Sequence, residues 1–318
     1  MKMTRRSFLA STAIGALAVM APQALQAAEF KAAIVMPGNI TDQAWNQTGF
    51  EAMNDAKEKL GIETAYSEKV PQPDQLEALS DYARRGYNVV IGHGGEFVDA
   101  VERAAQRFPD TMFVVTNGFV SGKNYASISF DFKHFGYVIG FLSAKMSKTG
   151  KFGYITGQKI QVATDLLDGY IAGIHSVTPD APVAVAYTND WDDIAKGKEA
   201  ALNQLNQGID VIFPLLDNAQ IGALQACQEK KAWGFGVWQD VYENWKDTVL
   251  QSAVMDFRIA IVDFLRLAKE GKAEGKVYKF DIGTDAGRFG TYNPAIPKEI
   301  VEETNALIQK LKNGEVKI

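Results

Sequence analysis

The sequence predicts an α/β protein made of two similar lobes, each a doubly wound parallel sheet, and three observations carry that reading. Short β-rich runs alternate with amphipathic helical stretches, the rhythm of parallel strands covered by helices on both faces. The chain has 318 residues, about twice the length of an ordinary domain. A weak internal repeat relates its halves: Arg85-Gly86-Tyr87-Asn88-Val89-Val90-Ile91 is echoed by Gln207-Gly208-Ile209-Asp210-Val211-Ile212-Phe213. Each is a helix-ending glycine that feeds a buried strand.

Aliphatic and β-branched runs bounded by turn residues predict strands at Lys31–Met36, Ile62–Tyr66, Asn88–Ile91, Met112–Thr116 and Ser127–Phe130 in the first half. The second half predicts Phe152–Thr156, Val183–Tyr187, Asp210–Phe213 and Gly234–Val237. Apolar residues spaced by three and four predict helices near 46–60, 74–86, 97–107, 133–147, 163–177, 193–207, 219–231, 256–270 and 297–312. The echo extends past the repeated strands, to MFVVTNG in one half and GFGVWQD in the other. Upstream, IVMPGNITDQAWN and VAVAYTNDWDDI each place a tryptophan in the loop between a first strand and its helix.

Residues 1–28 contain no acid, carry Lys2, Arg5 and Arg6, and continue into an apolar run from Phe8 to Ala21 and small residues at Ala24, Ala27 and Ala28. That is the layout of a signal peptide, with an apolar run shorter than the ~20 residues of a membrane span. Thr4-Arg5-Arg6-Ser7-Phe8-Leu9 resembles the twin-arginine export motif. Cleavage after Ala27 or Ala28 takes the formal charge from −5 to −8. No cysteine stands near that junction for lipid attachment, so the expectation is a soluble periplasmic protein.

Composition narrows the function. Hydrophobic residues make up 47% and charged residues 22%, which fits a globular protein and excludes collagen, disordered and disulfide-scaffold classes. Net negative charge gives no electrostatic footprint for nucleic acid. The lone Cys227 permits neither an internal disulfide nor a cysteine-rich metal site, and it reads as a small buried apolar side chain. His93, His134 and His175 lack metal-type spacing. No G-x-S-x-G, H-E-x-x-H or P-loop is present. The reading is therefore a non-enzymatic protein with no cofactor and no metal.

In open parallel sheets, ligands bind beyond the carboxyl ends of the strands. The loops there carry the candidate site. Trp45 is flanked by Asp42 and Asn46, and Trp191 lies within Asn189-Asp190-Trp191-Asp192-Asp193, where the acids equally suit helix capping. Two opposed indoles suit a flat ring, at about 0.5–1.5 kcal/mol per stacked pair beyond area burial. Gly94, in Gly92-His93-Gly94-Gly95, lets backbone approach a ligand, and His93 either contacts that ligand or closes its own loop. Asn117, Asn218, Trp238 and Asp240 follow later strands and complete the set.

The strings Asp42-Gln43-Ala44-Trp45-Asn46, Ala144-Lys145-Met146-Ser147-Lys148-Thr149-Gly150-Lys151, Lys196-Gly197-Lys198-Glu199-Ala200-Ala201, Gly208-Ile209-Asp210-Val211-Ile212-Phe213 and Lys312-Asn313-Gly314-Glu315-Val316 resemble the basic membrane protein family of ABC-transporter substrate-binding proteins. The similarity runs along the mature chain. It implies a type I periplasmic-binding fold, with crossings near Phe130–His134, Val254–Arg258 and Asp281–Asp285. The lobes it implies are residues 29–131 with 257–283, and 132–256 with 284–318.

The best-known members of that family bind purine nucleosides. The resemblance implies stacking by Trp45 and Trp191, with polar contacts from Asp42 and Asn46. Two departures bear on the ligand. Nucleoside-binding members commonly place a ribose-holding aspartate after the strand ending at Val237, where this chain has Trp238-Gln239-Asp240, and a family lysine near Met255-Asp256 is absent. Asn117 stands where an acid is common; its amide both donates and accepts, so it can read a purine edge. The resulting expectation is a monomeric receptor that delivers a purine base or nucleoside to an ABC permease. A receptor for sugars or other small polar metabolites, and a ligand sensor for a membrane signalling protein, are the alternatives the sequence leaves open.

Overall fold

The computed structural model describes residues 30–42 and 45–318; the export segment 1–28 and its cleavage point lie outside the described residues. The first sheet comprises β1 (Lys31–Val35), β2 (Glu63–Ser67), β3 (Val89–Gly92), β4 (Met112–Thr116), β5 (Tyr125–Phe130) and β11 (Val277–Phe280), ordered β11-β5-β4-β3-β1-β2. The second comprises β6 (Phe152–Thr156), β7 (Val183–Tyr187), β8 (Val211–Leu215), β9 (Trp233–Val237), β10 (Val249–Met255) and β12 (Gly287–Phe289), ordered β12-β10-β9-β8-β6-β7. Every pairing is parallel except β10 with β12.

The two sheets share one strand order, so β1 to β5 correspond to β6 to β10. The repeat seen in sequence therefore pairs β3 with β8 and β4 with β9. The paired tryptophan loops do not correspond. Trp45 follows β1, a first strand, whereas Trp191 follows β7, the second strand of its sheet. Likeness between the two loops is local, and it gives the tryptophans no symmetric relation.

Helices α1 (Trp45–Leu60), α2 (Gln75–Arg84), α3 (Val98–Arg107) and α8 (Phe257–Lys269) cover the first sheet, with α8 packed on α1. Helices α4 (Phe132–Met146), α5 (Gln161–His175), α6 (Ile194–Leu205), α7 (Ala219–Lys230) and α9 (Lys298–Lys312) cover the second. Strands sandwiched this way read as continuous apolar runs, and β3, β6, β8 and β10 are buried along their whole length. On α4, Gly136 and Gly140 meet the backbone of α5, and Gly169 and Gly173 on α5 meet the backbone of α4. A Cβ at any of them would lie 2.1–2.2 Å from a carbonyl oxygen of the facing helix. Among the described residues, no helix is long and apolar enough to cross a membrane.

The chain passes between the sheets after β5, after β10 and after β11. The largest apolar core runs through these passages into both lobes. Phe257 lies at its middle, edge-on to Phe130 (centroids 4.8 Å apart) and to Trp45 (4.9 Å).

A charged cluster sits on the same passages. His134 Nδ1 donates to Asp281 at 2.8 Å, and Lys279 holds Asp131 at 2.7 Å. Asp131, His134 and Asp281 are close enough to share an ion, but these pairings already account for them as charge pairs. The bond to Asp281 raises the His134 pKa; burial opposes it, the charges of Asp281 and Asp131 add to it, and Lys279 works against it. A raised pKa stabilises the fold below the ordinary value of about 6.5, and that stabilisation is lost as pH rises through the raised value. Thermal melting from pH 6 to 8.5 should show a decline that Asp281→Asn flattens; equal slopes would remove His134 as its source.

Candidate functional site

A cavity of about 230 Å³ opens between the lobes at the carboxyl ends of both sheets. The first lobe contributes Pro37 and Gly38 after β1, Trp45 and Asn46 from α1, Gly94, Gly95 and Glu96 after β3, and Asn117 after β4. The second contributes Ile160 and Val162 before and in α5, then Trp191, Asp192, Asp217 and Trp238 after β7, β8 and β9. By itself it is smaller than the about 300–1,000 Å³ of sites for drug-sized ligands. It adjoins a wider space of about 590 Å³ that shares half of its lining, Pro37, Gly95, Glu96, Asn117, Ile160, Val162 and Trp191.

Six of the sequence-predicted residues, Trp45, Asn46, Gly94, Asn117, Trp191 and Trp238, therefore line one cavity. Asp42, Asn218 and Asp240 do not. The Asp42 carboxylate accepts from the backbone N–H of Asn46 (2.8 Å) and Gln47 (3.0 Å) and from the Asn46 amide (2.7 Å), so it caps α1 and aims Asn46. Asn218 is the residue before α7, and its backbone N–H points to Asp192. Asp240 accepts from the N–H and hydroxyl of Thr291, both at 2.8 Å, from Tyr242 and from Ser252. Burial would raise its pKa, yet these bonds outweigh it and hold the carboxyl below the usual range. It lies on the far side of Trp238.

Trp45 is only 8% exposed. One face stacks on His93, with ring centroids 4.1 Å apart and 10° between the planes. The two residues also bond reciprocally: the Trp45 indole N–H donates to the His93 carbonyl (3.3 Å), and His93 Nε2 donates to the Trp45 carbonyl (2.9 Å). Nδ1 of His93 accepts from the Thr116 hydroxyl at 3.0 Å. His93 is thus the support under Trp45. Both its ring nitrogens are engaged by protein, and it does not line the cavity.

Trp191 is half-buried over Gly157, where a Cβ would fall 2.3 Å from the indole. Its carbonyl accepts from the N–H groups of Asp217 (3.0 Å) and Ala219 (3.1 Å), which ties its loop to the start of α7. Asp190 and Asp193, its acidic neighbours, cap the local turn and α6.

Backbone conformation singles out two more residues. Asn117 (φ +55°) and Trp238 (φ +70°) are both left-handed, and both directly follow corresponding strands β4 and β9. For a bulky residue this conformation is a genuine outlier that the surroundings must hold in place. Each also has a buried polar atom in the cavity wall that closes no hydrogen bond of ordinary geometry: the Asn117 side-chain oxygen and the Trp238 indole N–H, whose neighbour is the Asp217 carboxyl. Such atoms cost about 1–3 kcal/mol each when left unmatched.

Sequence reasoning missed the carboxyls. Glu96, Asp192 and Asp217 line the cavity, and among the described lining residues there is no Lys, Arg or His. Asp217 is pushed well above the usual carboxylate range by burial first, then by the charges of Asp192, Asp42 and Glu96; the Trp238 indole opposes slightly. Desolvation raises Glu96, and with the charges of Asp42 and Asp190 it raises Asp192, although both keep part of their surface open to the cleft. The site offers carboxyl groups to a donor and, with no cation beside them, disfavours anions.

Residues 30–318 match the family described as ABC transporter substrate-binding protein, PnrA-like. The chain belongs to this family. Such proteins bind small ligands and pair with a membrane permease. A transcriptional activator protein, Med, of Bacillus subtilis is 27% identical over 288 residues, 90% of each chain. A purine-binding protein of Brucella abortus is 27% identical over 293 residues, covering 91% of this chain and 82% of its own. Among solved structures, a solute-binding protein of an ABC transporter system from Aeropyrum pernix superposes with a TM-score of 0.80 at 18% identity. That match covers 91% of this PnrA-like chain and 92% of the other.

Proposed function

We propose that this PnrA-like chain is a monomeric, non-catalytic receptor that captures a purine base or purine nucleoside in the interlobe cavity and hands it to an ABC permease from the periplasm. The observation that carries this reading is the cavity itself: lined by Trp45 and Trp191 and edged by the unmatched Asn117 oxygen, the Trp238 N–H and carboxyls. Planar rings with N–H and amino groups satisfy such an edge while stacking on indole. The name of the Brucella relative supports the same class. Asp42 acts in it by holding Asn46.

Calorimetry with purine bases, nucleosides and nucleotides tests the reading. Bases or nucleosides should bind, and nucleotides should fail, because their phosphates meet three carboxyls and no cation. Binding of no purine at all would overturn it. Trp191→Ala should weaken binding by roughly 1–3 kcal/mol, the usual loss for one stacked base, with little change in melting temperature because the indole is half-exposed. Unchanged affinity would make Trp191 a structural residue only.

The Bacillus relative's name favours a second reading, ligand sensing. That reading predicts capture of the same ligand with a signalling protein as docking partner, so co-purification of the liganded protein with permease or with sensor separates them. A pentose that displaces the purine would instead favour sugar capture.

A further inference from the structure

Behind Trp238 lies another chamber of about 240 Å³, walled by polar groups that include Thr48, Glu51, Gln239, Asp256, Arg258 and Arg288. Its lining shares one residue with the ring cavity, and that residue is Trp238. The indole is thus a wall with a space on either side. One side is edged by indole and carboxyl; the other holds two guanidinium groups beside Glu51 and Asp256, a mixed set of donors and acceptors suited to hydroxyl groups. Arg258 and Arg288 bind Asp256 only loosely, at 3.9 and 3.7 Å.

The wall is built at a cost. Trp238 is 8% exposed, carries an indole N–H that closes no hydrogen bond of ordinary geometry although the Asp217 carboxyl is its neighbour, and holds a left-handed backbone that tryptophan rarely adopts. Asn117, its counterpart in the other lobe, occupies the same conformation with a much smaller side chain. A small residue would satisfy the backbone here with less strain and would join the two chambers.

We propose that Trp238 is the specificity-determining partition of this site: it closes the polar chamber to the ligand, so the protein takes the bare planar ring and excludes the same ring bearing a polyhydroxylated substituent. This rests on the purine reading above and sharpens it to free bases.

The test is calorimetry of adenine, hypoxanthine and their ribosides against the wild type, Trp238→Gly and Trp238→Asn, with melting curves to confirm folding. Glycine and asparagine both accept a left-handed φ, so two routes to a folded variant exist. The wild type should prefer base over riboside by at least about tenfold, the scale on which a pocket rejects excess bulk. The folded variants should gain at least about tenfold for the riboside, and Trp238→Phe should keep the wild-type order. A wild type that prefers ribosides, or folded variants with no riboside gain, would overturn the partition while leaving purine capture standing. Failure of every purine to bind the wild type would remove the purine reading and the partition together.

Discussion

Trp45→Ala is expected to lower folding stability by about 3–5 kcal/mol, the usual cost of removing a large aromatic from a core, and to abolish measurable ligand capture along with it. The sequence expectation treated this indole as a stacking face of the cleft. Its geometry makes it a core residue as well. The ring is stacked on His93, tilted against Trp238 at 5.5 Å and edge-on to Phe257 at 4.9 Å, so deletion leaves a hole where both lobes meet. Urea unfolding measures the first effect and calorimetry the second, with Trp45→Phe as the variant that retains a ring. Loss of binding at unchanged stability would show that Trp45 belongs to the ligand alone.

Acid should loosen the same region through His93. Complete burial pushes its pKa from 6.5 down to about 4, against the smaller raising effects of its bond to the Trp45 carbonyl and the charge of Asp42. The unfolded chain takes up that proton near pH 6.5, whereas the folded chain resists until about pH 4. Stability therefore falls as pH drops through this window, by up to about 3 kcal/mol, and levels off below it. Protonation would also abolish the acceptor that Nδ1 offers to Thr116. Urea midpoints measured from pH 7 to pH 4 in the wild type and in His93→Gln should converge toward low pH. Parallel curves would mean that acid acts through the carboxyls instead.

Much of the fold could be read from the chain because parallel strands buried on both faces announce themselves as unbroken apolar runs. The predicted helices near 46–60 and 219–231 lie within a residue of α1 and α7. The last three strands escaped. β10 contains Gln251 and Ser252 within an apolar run, β11 mixes Tyr278 and Lys279, and β12 has three residues, so none shows a strand period strong enough to stand alone. Their pairings come from the other crossings of the chain, which local sequence does not encode.

The site shows the same division. Residues immediately after a strand, such as Asn117 and Trp238, follow from the rule that ligands sit at strand ends. Asp217 was missed in favour of Asn218 because β8 runs two residues beyond the predicted Phe213, which moves the cleft-facing position in the loop. Glu96 reaches the cavity by folding back over Gly94, where a Cβ would collide with its carboxylate, a path no spacing rule describes. Asp240 looked like a ligand acid, yet its capacity is used up by Thr291, fifty-one positions away in sequence.

The glycine contact between α4 and α5 has a mechanical consequence. Helices whose backbones touch cannot slide past one another without a clash, so α4 and α5 move together. In a receptor that closes on its ligand, as proposed above, bending would fall on the three passages around Asp131, Asp256 and Asp281. A small rotation there is magnified with distance, so the far tips of the lobes carry a readable gauge of whether the cavity is filled. A partner that grips both tips can sense the cargo without ever touching it.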